Sequence, residues 1–578
     1  MNLFGWDVQQ LDVDVFLASA HRAFLGGSLL WLALLVRVRR PLWLLTGVLL
    51  GNAHAWLVAN WPLQRIYAMV ASDRLNNIGF CQMVAAGNPF WQTPQVGQLH
   101  FEPFWGVLVA VLSGFDPDRV LAIYPFLPLL TVAGYVLTLY VGLAAPDSRG
   151  RWSTWERATI VGFATLLCAV PMDSVNLYRT AWAGMFLLKP NHALGLVLFP
   201  LFLRAFVGIR GWRARLAAGF LLHVLAWAFV MHMAFVAAGL VVFAAWSWLA
   251  GHQDRRRDVL DVVGVIGVNL AIVSPYLVML IVGYPFLQSN PAATIPLESA
   301  HILELAGRGA PLMALALWGI AVARRRGDRL GRLVAAQVVG AWLIWVGYHA
   351  LSLLQLARER DEAFFWARFL TAIGAGIGAW DVAGGVWRLF TQRSPEPAPR
   401  AAALALVALP WCFPYWWNPA EMDPYFQGCR RPVLPSLVAL GEFLRQKTEP
   451  DAVVAGDHGL APWIAALGAR RVLFSDGLHL PKDTLARREA ERALFEGGEP
   501  ERMTSAAAHY RVRYLAVAGS QRAQGRGSRA HEKNSRTTNP AIALEPLRAR
   551  AELEEVLYRE DDDGAFVALF RLKVGSSR

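Results

Sequence analysis

The sequence predicts a polytopic α-helical membrane protein of about twelve spans, followed by a C-terminal extracytoplasmic α/β domain. Three observations predict it. The 578 residues are 55% hydrophobic and only 17% charged, against about 25% charged in soluble domains. Apolar runs approaching the ~20 residues needed to cross a bilayer recur from residue 16 to residue 417. After Trp416 the composition changes to short alternating apolar and charged segments. Because hydrocarbon offers backbone groups no water, the spans must be helices.

The predicted spans are 16–36, 41–59, 120–144, 158–172, 191–208, 216–231, 233–250, 259–285, 311–323, 333–354, 364–390 and 400–417. Alternate connections, counted with the helix ends beside them, hold Arg37/Arg39/Arg40, Arg149/Arg151/Arg157, Arg204/Arg210/Arg213/Arg215, Arg255–Arg257, Arg324–Arg326 with Arg329 and Arg332, and Arg388/Arg393/Arg400. The positive-inside rule makes that side cytoplasmic and places both termini outside. Residues 104–114 are apolar but too short to cross, and are read as a juxtamembrane or re-entrant helix. The run 216–250 reads either as two helices with a turn near His232 or as one long tilted helix. Asp7, Asp12 and Asp14 stand where a cleavable signal would be basic, so the first run is read as a retained helix.

The formal charge of +12 does not indicate nucleic acid, because it sits in the membrane part. Residues 1–417 hold 31 basic and 21 acidic side chains, whereas 418–578 hold 24 and 22. Cys81, Cys168, Cys412 and Cys429 form no CxxC and are read as unpaired apolar residues. The chain holds 50 Arg and 5 Lys, a usage pointing to a bacterial plasma (inner) membrane and its cell envelope.

Two domains follow: 1–417, with a catalytic outer loop at 60–119, and 418–578. In the second, AVVAGD (452–457) reads as a strand, LAPWIAALG as a helix, RRVLFSD as a strand, 483–510 as charged helix and YLAVAG (514–519) as a third strand of a small parallel sheet. Residues 520–541 read as a disordered loop, and LEEVLYRE with AFVALFRL as a closing hairpin. GDHGLAP lacks a nucleotide-binding glycine pattern.

Unusual polar groups concentrate in the first outer loop, which reads VASDRLNNIGF, AAGNPFWQTP and QLHFEPFW. Asp73, His100 and Glu102 are the catalytic candidates. A carboxylate partly desolvated by Trp61, Tyr67, Phe80 and Trp91 would hold a raised pKa and accept a proton from an acceptor hydroxyl. Its competing role is a helix cap or a partner for Arg65 or Arg74.

An acid, then Ala-x-Gly-x-Pro at Ala85–Pro89, then Phe101-Glu102-Pro103 entering a helix, all in a first outer loop, resembles the GT-C fold glycosyltransferases. These include protein O-mannosyltransferases, aminoarabinose transferases and oligosaccharyltransferases. The resemblance implies transfer of a sugar from a polyprenyl-phosphate or -diphosphate donor on the extracytoplasmic face, to a glycan, lipid or protein acceptor, with Asp73 as the essential acid. Two departures stand out. Many members have paired acids where this chain reads Ser72-Asp73-Arg74, and Glu102-Pro103-Phe104 replaces Glu-Lys-Pro-Pro. No cofactor is therefore expected, and a divalent metal has little support.

Lys189, in LLKPNHALG, is the single lysine of the first 446 residues. With Asn191 and His192 it would meet a donor phosphate at a helix N-terminus, with Pro190 in the first turn; a snorkelling lysine beside a cap is the plainer reading. Arg179 and Arg368 are further phosphate candidates, Arg368 because it lies inside an apolar helix and needs a partner. Glu298 and His301 at i,i+3 are too few for zinc. The competing functions are a transporter or lipid flippase, which would favour matching halves with broken helices, and an assembly scaffold, for which changes at Asp73 and Lys189 would be silent.

Overall fold

The computed structural model describes residues 26–60, 71–144, 152–167, 190–283, 299–353, 361–412, 434–520 and 544–573, apart from 28, 101, 393–395, 457–459, 476–482, 496–499 and 563. The chain divides into two compact units. One comprises Met1–Pro62, Phe126–Leu277 and Pro291–Tyr425, the other Leu63–Pro125, Val278–Asn290 and Phe426–Arg578. The grouping differs from the division drawn from the sequence, in which loop 60–119 went with the helices.

The first unit is helical. Described helices overlap the predicted spans without settling how many of them cross: Leu29–Val38, Pro41–Asn60, Leu127–Gly142, Thr154–Leu167, Pro190–Val207, Trp212–Ala228, Val230–Leu249, Arg255–Gly283, Ser299–Arg326, Arg329–Leu353, Asp361–Thr391 and Pro397–Cys412. By length and composition, four described helices suffice to cross a membrane, at Val230–Leu249, Arg255–Met279, Arg329–Gly347 and Trp366–Thr391. The 216–250 run is two helices, broken at Phe229, whose backbone is extended (φ −166°, ψ 113°), three residues before the expected turn.

Without water to expel, helices in lipid associate by close packing, which small residues allow. A β-carbon on Gly378 would lie 2.0 Å from the Leu315 carbonyl oxygen, and one on Gly340 2.7 Å from the Gly239 Cα. Those contacts join 299–326 to 361–391 and 230–249 to 329–353. The interior is aromatic: Trp366 packs on His232 with ring centroids 4.6 Å apart and on Phe199 at 5.1 Å.

At the arginine-rich end, two fully buried acids hold the helices together. Arg329 Nε donates to Asp258 Oδ1 at 3.1 Å and its terminal nitrogen to Asp261 Oδ2 at 2.6 Å. Arg332 reaches Asp258 Oδ2 at 3.0 Å, Ser247 donates to the same oxygen at 2.9 Å, and Arg215 Nε meets Asp261 Oδ1 at 2.7 Å. Arg329 also caps the carbonyls of Phe206 and Val207 at 3.4 and 3.3 Å. The sequence reads these arginines as interfacial anchors; Arg332 is buried, Arg329 largely so, and both are partners in a network joining five helices.

The second unit carries a five-stranded sheet: β1 Val453–Gly456, β2 Arg471–Val472, β3 Val512–Ser520, β4 Leu553–Glu560 and β5 Ala565–Leu572, in the order β2-β1-β3-β5-β4. β1 pairs parallel with β2 and β3; β5 runs antiparallel to β3 and β4. The sheet is thus mixed, the expected hairpin supplying its antiparallel half. The expected strand at RRVLFSD shrinks to two residues, and the 483–510 helix is two helices, Thr484–Phe495 and Pro500–Tyr510. Strand alternation buries both faces. Val453, Leu515, Val517 and Phe570 meet Leu494 and Met503, while Val454, Ala516 and Leu569 meet Leu440, Leu444 and Ile464 from the helices Pro435–Lys447 and Ala461–Gly468.

Removing one partner of a buried ion pair strands the other charge, at about 3–5 kcal/mol. Asp261→Ala, which takes from Arg215 its carboxylate partner and from Arg329 one of its two, should therefore lower the unfolding midpoint of the detergent-purified protein far more than Asp254→Ala, an exposed neighbour. Equal midpoints for the two variants would remove the network from the fold's foundations.

Candidate active-site loop

Every segment of the motif between residues 71 and 103 has a mechanical role. Asp73 stands in the first turn of the helix Ala71–Ala85. That helix ends at the Ala-x-Gly-x-Pro motif, where Gly87 N–H donates to Val84 O at 3.0 Å and Asn88 N–H to Met83 O at 2.9 Å. Those two bonds are a Schellman cap, which needs a left-handed residue; Gly87, at φ +86°, supplies it. The Glu-Pro motif opens the helix Pro103–Leu112, with Pro103 in its first turn, where a missing N–H costs nothing. The Glu102 side chain makes no cap bond to that helix.

Between the two helices the chain folds back on itself. Gln92 and Leu99 form an antiparallel bridge, Thr93 N–H donates to Gln98 O at 2.8 Å and His100 N–H to Trp91 O at 2.9 Å. The tip then adds to the sheet. Val472 N–H donates to Pro94 O at 2.9 Å and Val96 N–H to Val472 O at 3.0 Å, so residues 94–96 extend the edge at β2. Further contacts fix the same junction. A β-carbon on Gly79 would lie 2.6 Å from the Ala465 Cβ, so these helices touch backbone to backbone. Arg471 donates to Asn88 Oδ1 at 3.3 Å, and Arg445 pairs with Asp118 at 3.2 Å.

His100 and Glu102 are brought together and buried, 7% and 5% exposed. The Glu102 N–H donates to His100 Nδ1 at 2.8 Å, which leaves a neutral imidazole with its proton on Nε2. The His100 ring stacks on Phe80 at 3.6 Å between centroids, inclined by 13°. Phe80 is in turn backed by Gly106, whose β-carbon would meet its ring at 2.4 Å. Position 73 lies seven residues, two helical turns and roughly 10 Å before Phe80 on the same helix face. Cys81 is a buried free thiol. Burial pushes its pKa well up, and the nearby Glu102 carboxylate pushes it the same way, so it is a poor nucleophile.

Among the phosphate candidates, Arg368 is 2% exposed on the helix Asp361–Thr391, and Asn191 and His192 stand in the first turn of Pro190–Val207. Lys189 and Arg179 lie outside the described residues, as do Trp61, Tyr67 and Glu298. Trp91, expected to desolvate the acid, is 44% exposed. Among the described residues, no three His, Cys, Asp or Glu side chains group to hold a metal. Val472, Ala465 and Arg471 lie nearly 400 residues from the loop they hold, and the sequence around them carries no local signal of that role.

No family model matches the chain, and no curated protein matches it in sequence. Its fold does have solved counterparts. ArnT from Cupriavidus metallidurans, bound to undecaprenyl phosphate, matches with a TM-score of 0.51 at 13% identity, over 92% of this chain and 99% of that one. The archaeal oligosaccharyltransferase AglB from Archaeoglobus fulgidus, in complex with an inhibitory peptide and a dolichol-phosphate, matches at 0.49 and 14% identity, over 83% and 70%. The likeness to ArnT establishes the GT-C fold and, with the apolar helices, an integral membrane protein.

Val96→Pro deletes the N–H that meets the fully buried Val472, leaving its carbonyl unpaired at a cost of about 1–3 kcal/mol. Limited proteolysis of this variant should cut within 86–100 at protease levels that spare the parent. Unchanged resistance would show that the edge pairing does not hold the loop.

Proposed function

We propose that the protein is a glycosyltransferase that moves a sugar from a polyprenyl-phosphate donor to an acceptor hydroxyl on the extracytoplasmic face, with inversion and with Asp73 as general base. The observation that carries this reading is the union of fold and loop. In a GT-C fold, the acid opens a helix whose other end is capped, and which is stacked on its own loop and pressed against a soluble domain. The ArnT counterpart was captured with undecaprenyl phosphate, a ligand of the chemical class the donor would belong to.

The chemistry asks little of the protein beyond alignment. The acceptor hydroxyl gives its proton to the Asp73 carboxylate as its oxygen bonds to the anomeric carbon. The bond from that carbon to the phosphate oxygen breaks, and polyprenyl phosphate leaves with the electron pair. One carboxylate suffices, because the phosphate is already a competent leaving group and alignment supplies much of the rate. His100 and Glu102 are positioning residues: their burial keeps them from the acceptor, while the ring stack and the Nδ1 bond fix the helix that begins at Asp73. On the helical unit, Lys189, Asn191 and His192, with Arg179 and Arg368, form the phosphate-binding set. The domain 426–578 would help select the acceptor.

Asp73→Asn keeps shape and hydrogen bonding but removes basicity, so turnover with a lipid-linked sugar in reconstituted membranes should fall by about 10²–10⁴. Activity within a few-fold of the parent would leave the reaction without its base. Lys189→Ala should act differently, raising the apparent KM for the donor with little change in kcat, since one charge-assisted contact is worth about 1.5–3 kcal/mol. An unaltered KM would take the lysine out of the site.

A further inference from the structure

The arginine network of the helical unit does not close on itself. Four guanidinium groups, of Arg215, Arg257, Arg329 and Arg332, face the carboxylates of Asp258 and Asp261, and each carboxylate oxygen already accepts from at least one of them. Arg332, its side chain 9% exposed, keeps an Nε buried without a hydrogen-bond partner among the described residues. Excess positive charge in a low-dielectric setting is costly unless an anion meets it.

The surroundings point the same way. Arg324 is exposed, forms no ion pair among the described residues and lies over Trp246 at 5.8 Å. His252, in the connection between two helices, donates its backbone N–H to Ser247 O at 3.3 Å, and Arg332 donates to the same residue's Oγ at 3.1 Å; burial lowers the His252 pKa, and the charges of Arg332 and Arg324 act the same way against that of Asp258. Beside it are exposed apolar groups, Leu249 at 85% and Trp248 at 52%, with Arg255 over the Trp248 ring at 5.3 Å. A soluble phosphate has no use for that apolar rim, whereas acyl chains below a headgroup would cover it.

We infer that Arg332, Arg324 and His252 form a binding site for the phosphate of an anionic glycerophospholipid, seated against Trp246 at the arginine-rich end of the helices. It is distinct from the donor-phosphate set around Lys189 and independent of the sugar-transfer reading.

The test uses the full chain, stripped of lipid in detergent and examined by native mass spectrometry with phosphatidylglycerol, phosphatidylcholine or inorganic phosphate. Phosphatidylglycerol should be retained over phosphatidylcholine, whose choline offsets the same phosphate. Arg324→Gln should weaken that retention about tenfold. Arg332→Lys, which keeps the charge beside Asp258 but lacks Nε, should weaken it as well. Equal retention of the two lipids, or an Arg324→Gln protein that holds phosphatidylglycerol as the parent does, would overturn the site. Thermal stabilisation by inorganic phosphate equal to that by phosphatidylglycerol would overturn the assignment to a lipid headgroup.

Discussion

The candidate site depends on one unpaired edge. β2 has only two residues, and a strand at the end of a sheet offers a row of unmet N–H and C=O groups. Residues 94–96, between the helices Ala71–Ala85 and Pro103–Leu112, fill that row through Val472. A bare edge invites pairing with another chain; here the partner is built in, and it is the loop that carries the acid. The contact at Gly79 and Ala465 then leaves no room for a side chain between the helices. Loop and domain are therefore packed as one body, with Val96 against the sheet's core.

The helical unit answers a different constraint. Its interior offers no water, so a charge there must be met by another charge or by a helix end. Asp258 and Asp261 do this in part for Arg215, Arg329 and Arg332, and the final carbonyls of the helix Pro190–Val207 take part of Arg329. Each of these contacts joins segments distant in sequence. The cluster thus sets which helix ends lie together, a task that apolar packing against lipid performs weakly because lipid tails are as apolar as leucine.

Much of this was legible in the sequence, for identifiable reasons. The helix positions follow from apolar length, and the loop motif resolves into local rules: a glycine that must be left-handed, a proline where no N–H is needed, a helix between them. The break in 216–250 is legible too, as spans 216–231 and 233–250, although the extended backbone falls at Phe229 and not at His232. What was not legible is non-local. Nothing in RRVLFSD announces that two of its residues form a strand and that one pairs with a loop some 380 positions earlier. Arginine counting gives a side, but it cannot distinguish an exposed Arg255 from an Arg332 buried against Asp258.

These two constraints bear on catalysis through rigidity. A general base contributes only when its geometry is held, and an error of an ångström is expensive. A carboxylate in the first turn of an isolated 15-residue helix would be on fraying ground, since short helices in water are marginal. Here the helix is capped by Gly87, stacked through Phe80 on His100 and pressed onto Ala465, so its stability is tertiary. His100 and Glu102, read from the sequence as catalytic candidates, also take part in that mount: one bond from the Glu102 backbone aims the imidazole, and the imidazole face stacks on Phe80. On the proposed mechanism a single acid is then enough, because the frame around its helix supplies the alignment that the reaction needs.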